Sequence, residues 1–382
     1  MAGENEREAS GAELVIAGGG LIGLACALEA AGSGLEVLVV DPGADGRASE
    51  VAAGMIAPVG EASWGEEALL AAALDSAGRW PDWAERLGAE GGDVGYRRCG
   101  ALHVGLDRDE AAELRRRHEL HGQFGLESDW MGARACRRLE PGLSPDVAGG
   151  YVAPGEGEVD PRRVTTALRS ACERAGVRMR AGSVASVRLS DGGVRGVELG
   201  DGTAIAAERV LLAAGAWLGS IEVPGLELPV RPMKGEIVRL RARRDERPCE
   251  RIIAAERVYI VPRASSEVVV GATVEDRGFD TRVTAGGVHE LLREAYRALP
   301  EIAELELAGC EAGLRPTTPD NAPLIGATAV ERLLVAGGHH RNGVLLAPFT
   351  AAVIGACLRG EALPDAAAAL APDRFVPTGS RA

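Results

Sequence analysis

Three glycines constrain this chain more than any other feature: Gly18, Gly20 and Gly23, in the spacing G-x-G-x-x-G. The apolar run Leu14-Val15-Ile16-Ala17 precedes them, and an apolar helix-like segment follows to about Ala31. A second strand-like run, Glu36 to Val40, ends on Asp41-Pro42. Strand, glycine turn, helix, strand is the opening of a parallel α/β sheet. In such a turn the first glycine permits the tight bend and the second lets backbone approach a pyrophosphate. The third allows helix and strand to pack closely. The helix N-terminus offers free N–H groups and partial positive charge to phosphates. Asp41, 18 residues after Gly23, is placed to accept from ribose hydroxyls, which argues against a 2′-phosphate. The pattern predicts a bound dinucleotide but does not separate FAD from NAD.

The remaining chain extends this unit and interrupts it. Helices are expected over 66–88, 107–122, 160–175, 287–298 and 343–359, and Asp160-Pro161 supplies an N-cap acid with proline in the first turn. Strands are expected at 100–104, 177–180, 184–189, 209–213 and 333–338, with a turn at Asp191-Gly192-Gly193 and a β-rich stretch over 226–275. Nucleotide-type α/β pieces thus stand at the start, middle and end, with β-rich inserts between them. The expected class is α/β: a Rossmann-like parallel-sheet domain from 11–92, 154–225 and 308–362, interleaved with a β-rich α+β substrate domain from 93–153 and 226–307. Residues 1–10 and 363–382 read as tails, the second partly frayed.

Charge and cysteine usage exclude several function classes. With 42 Lys+Arg against 56 Asp+Glu, the net charge of −14 argues against a nucleic-acid partner. The seven cysteines are scattered and contain no CxxC pair, so neither a zinc site nor a disulfide framework is expected. Thiols in a reducing cytoplasm are the expectation, and the acidic opening MAGENEREAS is the opposite of a secretory signal. The apolar stretches Leu14 to Leu28 and Val344 to Leu358 are 15 residues each, short of the roughly 20 that span a membrane. His103, His118, His121 and His289 lack metal-ligand spacing and read as solvated or structural; no metal is expected. Arg115-Arg116-Arg117 reads as an exposed helix face.

Other segments carry candidate chemistry. Gly54-Met55, in a run of small residues from Ala52 to Ala57, offers backbone that can lie near a flat ring. Arg315, between Leu314 and Pro316, is held in an extended stretch, and a guanidinium forks onto the two oxygens of a carboxylate. A surface ion pair is the alternative. Tyr259 begins the segment Tyr259-Ile260-Val261-Pro262-Arg263 and either presents its hydroxyl to a site or fills a core.

Together these segments resemble a known family. Gly18 to Gly23, Ala53 to Met55, Arg231 to Glu236, Tyr259 to Arg263, Gly271-Ala272-Thr273, Gly313 to Pro316 and Gly338 to Pro348 stand in the order and spacing of the D-amino-acid-oxidase-like flavoproteins. Within that superfamily the chain looks like the glycine oxidases of bacterial thiamine biosynthesis, from about residue 12 to 360. The resemblance implies non-covalent FAD along Leu21 and Ile22, its ribose at Asp41 and Pro42. Ala48, Ser49, Ala53, Gly54 and Met55 would lie near the phosphates and flavin ring, and Val184 would touch the adenine through its backbone. His339, His340, Arg341, Asn342, Gly343, Val344 and Leu345 would hold the ring edge. Arg315 would bind a substrate carboxylate, with Arg341 nearby and Tyr259 donating a hydrogen bond.

The implied reaction is oxidation of glycine, sarcosine or a small D-amino acid, with dioxygen as acceptor. Thiazole synthase and a homo-oligomer are the protein partners considered. A dehydrogenase of the same superfamily, a non-catalytic flavin-binding subunit and an NAD-dependent dehydrogenase are the competing readings. Two departures bear on substrate preference: family members usually carry Phe or Tyr where this chain has His340, and Arg257 adds a cation two residues before Tyr259.

Overall fold

The computed structural model describes residues 8–243 and 246–375. Its first sheet runs Leu324–Ala327, Leu333–Gly337, Ala204–Leu212, Glu8–Ala17, Val37–Asp41 and Arg178–Ala181, with a further hairpin, Val184–Ser190 and Gly193–Leu199, attached to Ala204–Leu212. The pairs flanking Glu8–Ala17 are parallel, Val15 facing Val210 on one side and Leu38 on the other. Such strands need both faces covered, which explains why Val37 to Val40 are all buried. Alternation then sorts the side chains. Leu14, Ile16, Val37 and Val39 meet the helices Leu21–Gly32, Glu67–Gly91, Pro161–Arg174 and Ala347–Arg359, whereas Val15, Leu38 and Val40 pack with Val197, Val210 and Leu218 on the opposite face.

The second sheet is ordered Glu306–Thr317, Arg231–Arg241, Glu267–Gly271, Tyr259–Pro262, Ile252–Ala254, Ala101–Gly105, Gly149–Ala153 and Asp129–Gly132. Leu102, Val238, Ile260 and Val270 face a core that includes Leu291 and Ala295 of the helix Ala285–Ala298. Ala101, Ile237, Ile252 and Val261 face the other way. Residues directly across strands share a face, so His103, Ala254, Tyr259 and Gly271 form one transverse row on that second side. This row positions the site.

Several helix signals work as read. The Asp160 side chain accepts from the backbone N–H groups of Arg162 and Arg163, with Pro161 in the first turn. Asp191 and Gly192 take φ of 51° and 80°, the turn that closes the hairpin. Four boundaries differ. The last long helix begins at Ala347, not 343, because Pro348 suits its first turn while Asn342 to Leu346 form a separate turn. The helix Glu67–Gly91 runs through Pro81, held on both sides by buried Trp80 and Trp83. The segment after 363 was expected to fray, yet Ala367 and Leu370 are buried in the helix-side core. Strand pairing also begins earlier than expected, at Glu8. Among the described residues no helix is long and apolar enough to cross a membrane.

Candidate active site

One cavity of about 1210 Å³ lies between the two sheets. Of the residues singled out from sequence, Gly18, Gly20, Leu21, Ile22, Asp41, Pro42, Ala48, Ser49, Ala53, Gly54, Met55, Val184, Tyr259, Arg315 and all of His339 to Leu345 line it. Gly23 does not; a Cβ there would stand 1.9 Å from the Gly18 carbonyl oxygen, so it serves helix–strand contact.

At the glycine-turn end the backbone has no room for side chains. Gly18 has φ of 114°, and a Cβ on it would meet the Ala213 carbonyl oxygen at 2.4 Å. The helix Leu21–Gly32 has no side-chain cap and no acid in its first turn, so its N-terminal charge is left for a ligand. Asp41 accepts from the backbone N–H of Gly19 and, at 2.6 Å, from that of Gly43. It therefore shapes the turn while lining the cavity. Gly54 has φ of 78°, and its carbonyl accepts from Val159 N–H at 2.9 Å. Buried Arg263 fixes this bend by donating to Ala53 O at 2.6 Å and Val159 O at 2.5 Å while pairing with Glu158 at 2.7 Å. These features fit a dinucleotide lying along the glycine turn and the bend at Gly54.

At the other end stands Arg315, half-buried on Glu306–Thr317. Its Nη1 donates to Thr273 O at 3.0 Å and Lys234 O at 3.3 Å, and it makes no ion pair among the described residues. Two carbonyls orient it and leave its charge uncompensated. Burial holds the Tyr259 hydroxyl above its usual range, with the neighbouring Arg315 charge pulling the other way, so it stays protonated. Two glycines make room for this pair: a Cβ on Gly235 would lie 2.1 Å from Arg315 Nη1, and one on Gly271 would lie 2.3 Å from the Tyr259 hydroxyl. Beneath them buried Lys234 pairs with buried Glu236 at 2.6 Å, and Glu236 also accepts from Thr284 N–H at 3.0 Å. Sequence reading reached the segment Arg231 to Glu236 only through its resemblance; the roles of Gly235, Gly271 and Lys234 depend on cross-strand neighbours that no local spacing displays.

The C-terminal loop is pinned from behind. Leu345 O accepts from Ser76 Oγ at 2.6 Å and Trp80 Nε1 at 3.0 Å. His339 Nε2 meets Thr350 Oγ1 at 3.0 Å, and burial depresses this imidazole to about 3. His340, at φ of 47°, contacts Thr317 Oγ1 at 2.9 Å; burial first, then Arg315, Arg341 and Arg231, lower it to about 4. It is thus a neutral polar ring beside the Arg315 strand. Arg341 is exposed and ion-paired with Glu61, which also lines the cavity.

His103 and Arg117, neither expected at the site, both line the cavity, whereas buried His121, in contact with Ser128 Oγ, fits the structural reading. The helix Arg108–Gln123 packs against the sheet, so its arginine run straddles two environments: Arg116 faces solvent while Arg117 is half-buried.

The chain matches the FAD dependent oxidoreductase family, DAO, over residues 13–356. It is 34% identical over 351 residues to the glycine oxidase of Geobacillus kaustophilus, covering 90% of this chain and 91% of that protein. It is 36% identical over 345 residues to the bifunctional protein ThiO/ThiG of Nostoc sp., covering 90% of this chain but 52% of that protein. The chain therefore spans about half the length of the bifunctional relatives it matches. Among solved structures, the Geobacillus kaustophilus glycine oxidase superposes with a TM-score of 0.90 at 32% identity, covering 96% of this chain and 99% of that one. The iminodiacetate oxidase of Chelativorans sp. superposes at 0.85 and 28% identity, covering 94% and 98%. A cavity built for a dinucleotide, a fold shared with glycine oxidase and a family match over most of the length agree on the cofactor and the class: the chain belongs to the DAO family of FAD-dependent oxidoreductases.

Proposed function

We propose that this protein oxidises the carbon–nitrogen bond of glycine or another small amino acid, giving an imine that hydrolyses to a 2-oxo acid and ammonia. The observation that carries this reading is Arg315: a guanidinium in the FAD cavity, aimed by two backbone carbonyls and lacking an ion-pair partner among the described residues. Bound FAD would supply the acceptor for the hydride leaving the substrate α-carbon, with dioxygen as the final oxidant and hydrogen peroxide as its product.

The chain's own part is binding and orientation. Gly18, Gly20, Leu21 and Ile22 would receive the pyrophosphate, Asp41 and Pro42 the ribose, and Val184 the adenine. Ala48, Ser49 and Ala53 to Met55 would lie along the phosphates and ring, and His339 to Leu345 would hold the ring edge. Arg315 grips the substrate carboxylate through Nη2, its Nη1 being held by the Lys234 and Thr273 carbonyls, Tyr259 donates its hydroxyl hydrogen to it, and Arg341, paired with Glu61, stands nearby. The cofactor is held without a covalent link. Relatives that carry ThiO and ThiG in one polypeptide support supply of iminoglycine to thiazole synthase.

Truncating Arg315 removes a charge-assisted contact of about 2–5 kcal/mol, so Arg315→Ala lowers kcat/KM for glycine about 30- to 5,000-fold. A loss below about tenfold contradicts the assignment.

A secondary amine is the second reading, supported by the similarity to an iminodiacetate oxidase and by Arg257, an extra cation at the cavity wall. Peroxide formation from glycine, sarcosine, iminodiacetate, D-alanine and D-proline, measured side by side, separates the two.

A further inference from the structure

The transverse row that carries Tyr259 continues to His103, two strands away, with the small residue Ala254 between them. At ordinary strand spacing that separation is about 10 Å. His103 Nε2 and Glu156 Oε2 face each other at 3.6 Å. Both atoms are buried and neither has a hydrogen-bond partner. Both residues line the cavity.

This arrangement is built. Glu156 is fully buried, and its other oxygen accepts the Gly60 backbone N–H at 2.6 Å. Gly60 has no side chain where one would collide: its Cβ would lie 2.5 Å from His103 Nε2. Tyr151 stacks on His103 with ring centroids 4.5 Å apart, fixing the imidazole from behind. A buried carboxylate oxygen with no donor is costly, and a ligand that supplies one recovers that cost. Two other charges stand at this end. Glu61 is paired with Arg341, and Arg117 lies 3.9 Å from Glu113.

We infer that His103 and Glu156 form a distal subsite of the same cavity, which takes a hydrogen-bond-donating, cationic group at the far end of a ligand whose carboxylate lies on Arg315. This deepens the proposed function and rests on it. The substrate class extends from glycine to amino acids that end in an ammonium group, with small substrates leaving the distal position to water.

The probes are ω-substituted carboxylates with no amine beside the carboxylate, bound to the FAD-loaded protein and followed by perturbation of the flavin absorbance. Dissociation constants are compared for ε-aminocaproate, caproate and adipate. The expected order is ε-aminocaproate about tenfold tighter than caproate, with adipate weakest. In Glu156→Gln the ratio of ε-aminocaproate to caproate affinity falls to within about twofold of unity. Caproate binding as tightly as ε-aminocaproate to the unmodified protein overturns the subsite, whatever the variant does. Acetate and caproate that bind Arg315→Ala as tightly as they bind the unmodified protein overturn the carboxylate assignment instead, so the two failures are distinguishable.

Discussion

The guanidinium of Arg315 lies over the α-carbon of Gly235, where a methyl group would stand 2.1 Å from Nη1 and 2.4 Å from Nη2. Absence of a side chain on one strand thus determines where a cation on the next can rest. The Lys234 and Thr273 carbonyls, which accept from Nη1 at 3.3 and 3.0 Å, fix the remaining freedom. The arginine is presented to the cavity by its surroundings, which is what orientation-dominated catalysis requires.

Gly235→Ala therefore tests the seat without removing the cation. Position 235 has no left-handed backbone requirement, so the fold and FAD content persist while the guanidinium shifts. The expected result is a fall of about 10- to 100-fold in kcat/KM for glycine, with the thermal midpoint nearly unchanged. Unaltered kinetics show that Arg315 does not depend on this contact.

Burial lowers His339 to about 3. Its ring is neutral in the folded chain well below the usual histidine range and titrates near 6.5 when unfolded. Between those values the unfolded chain binds the extra proton. The contribution is thus whole above pH 6.5 and is lost as pH falls, at about 1.4 kcal/mol per pH unit. His340, lowered to about 4 but partly exposed, adds a smaller slope of the same sign. Denaturant unfolding from pH 7 to 4 shows a shallower loss in His339→Gln, which keeps a partner for Thr350 and removes the titration. Parallel profiles contradict the neutral assignment.

No cysteine lines the cavity among the described residues, and Cys310 sits opposite Val238 on the sheet, outside the lining. His339 Nε2 and His340 Nδ1 are turned to Thr350 and Thr317. Acid precipitation of the holoprotein is expected to leave the yellow flavin in the supernatant. Colour retained in the washed pellet indicates a covalent link.

What the sequence displayed was whatever depends on near neighbours. Gly18, Gly20 and Asp41 are legible because a turn and the next strand bring them together within one supersecondary unit, and Asp160-Pro161 because a cap is local. Arg315 and Tyr259 could be named as candidates, but an arginine beside a proline reads equally as a surface ion pair. Only the pairing of the Glu306–Thr317 and Arg231–Arg241 strands places it over Gly235. His103 was set aside for the same reason: its partner Glu156 follows a later strand, and only the pairing of His103 with Tyr151 brings them into contact range. The sequence places the helix start at 343 because Gly343 to Leu346 are apolar enough to continue it, yet Gly343, Val344 and Leu345 line the cavity and the helix begins at Ala347.

The most direct test is the visible absorbance of the purified protein before and after anaerobic addition of glycine. The account predicts oxidised-flavin bands that bleach with glycine and return on admitting air, with bleaching lost or greatly slowed in Arg315→Ala. Colourless protein that takes up no FAD, or bound flavin that no small amino acid reduces, contradicts it.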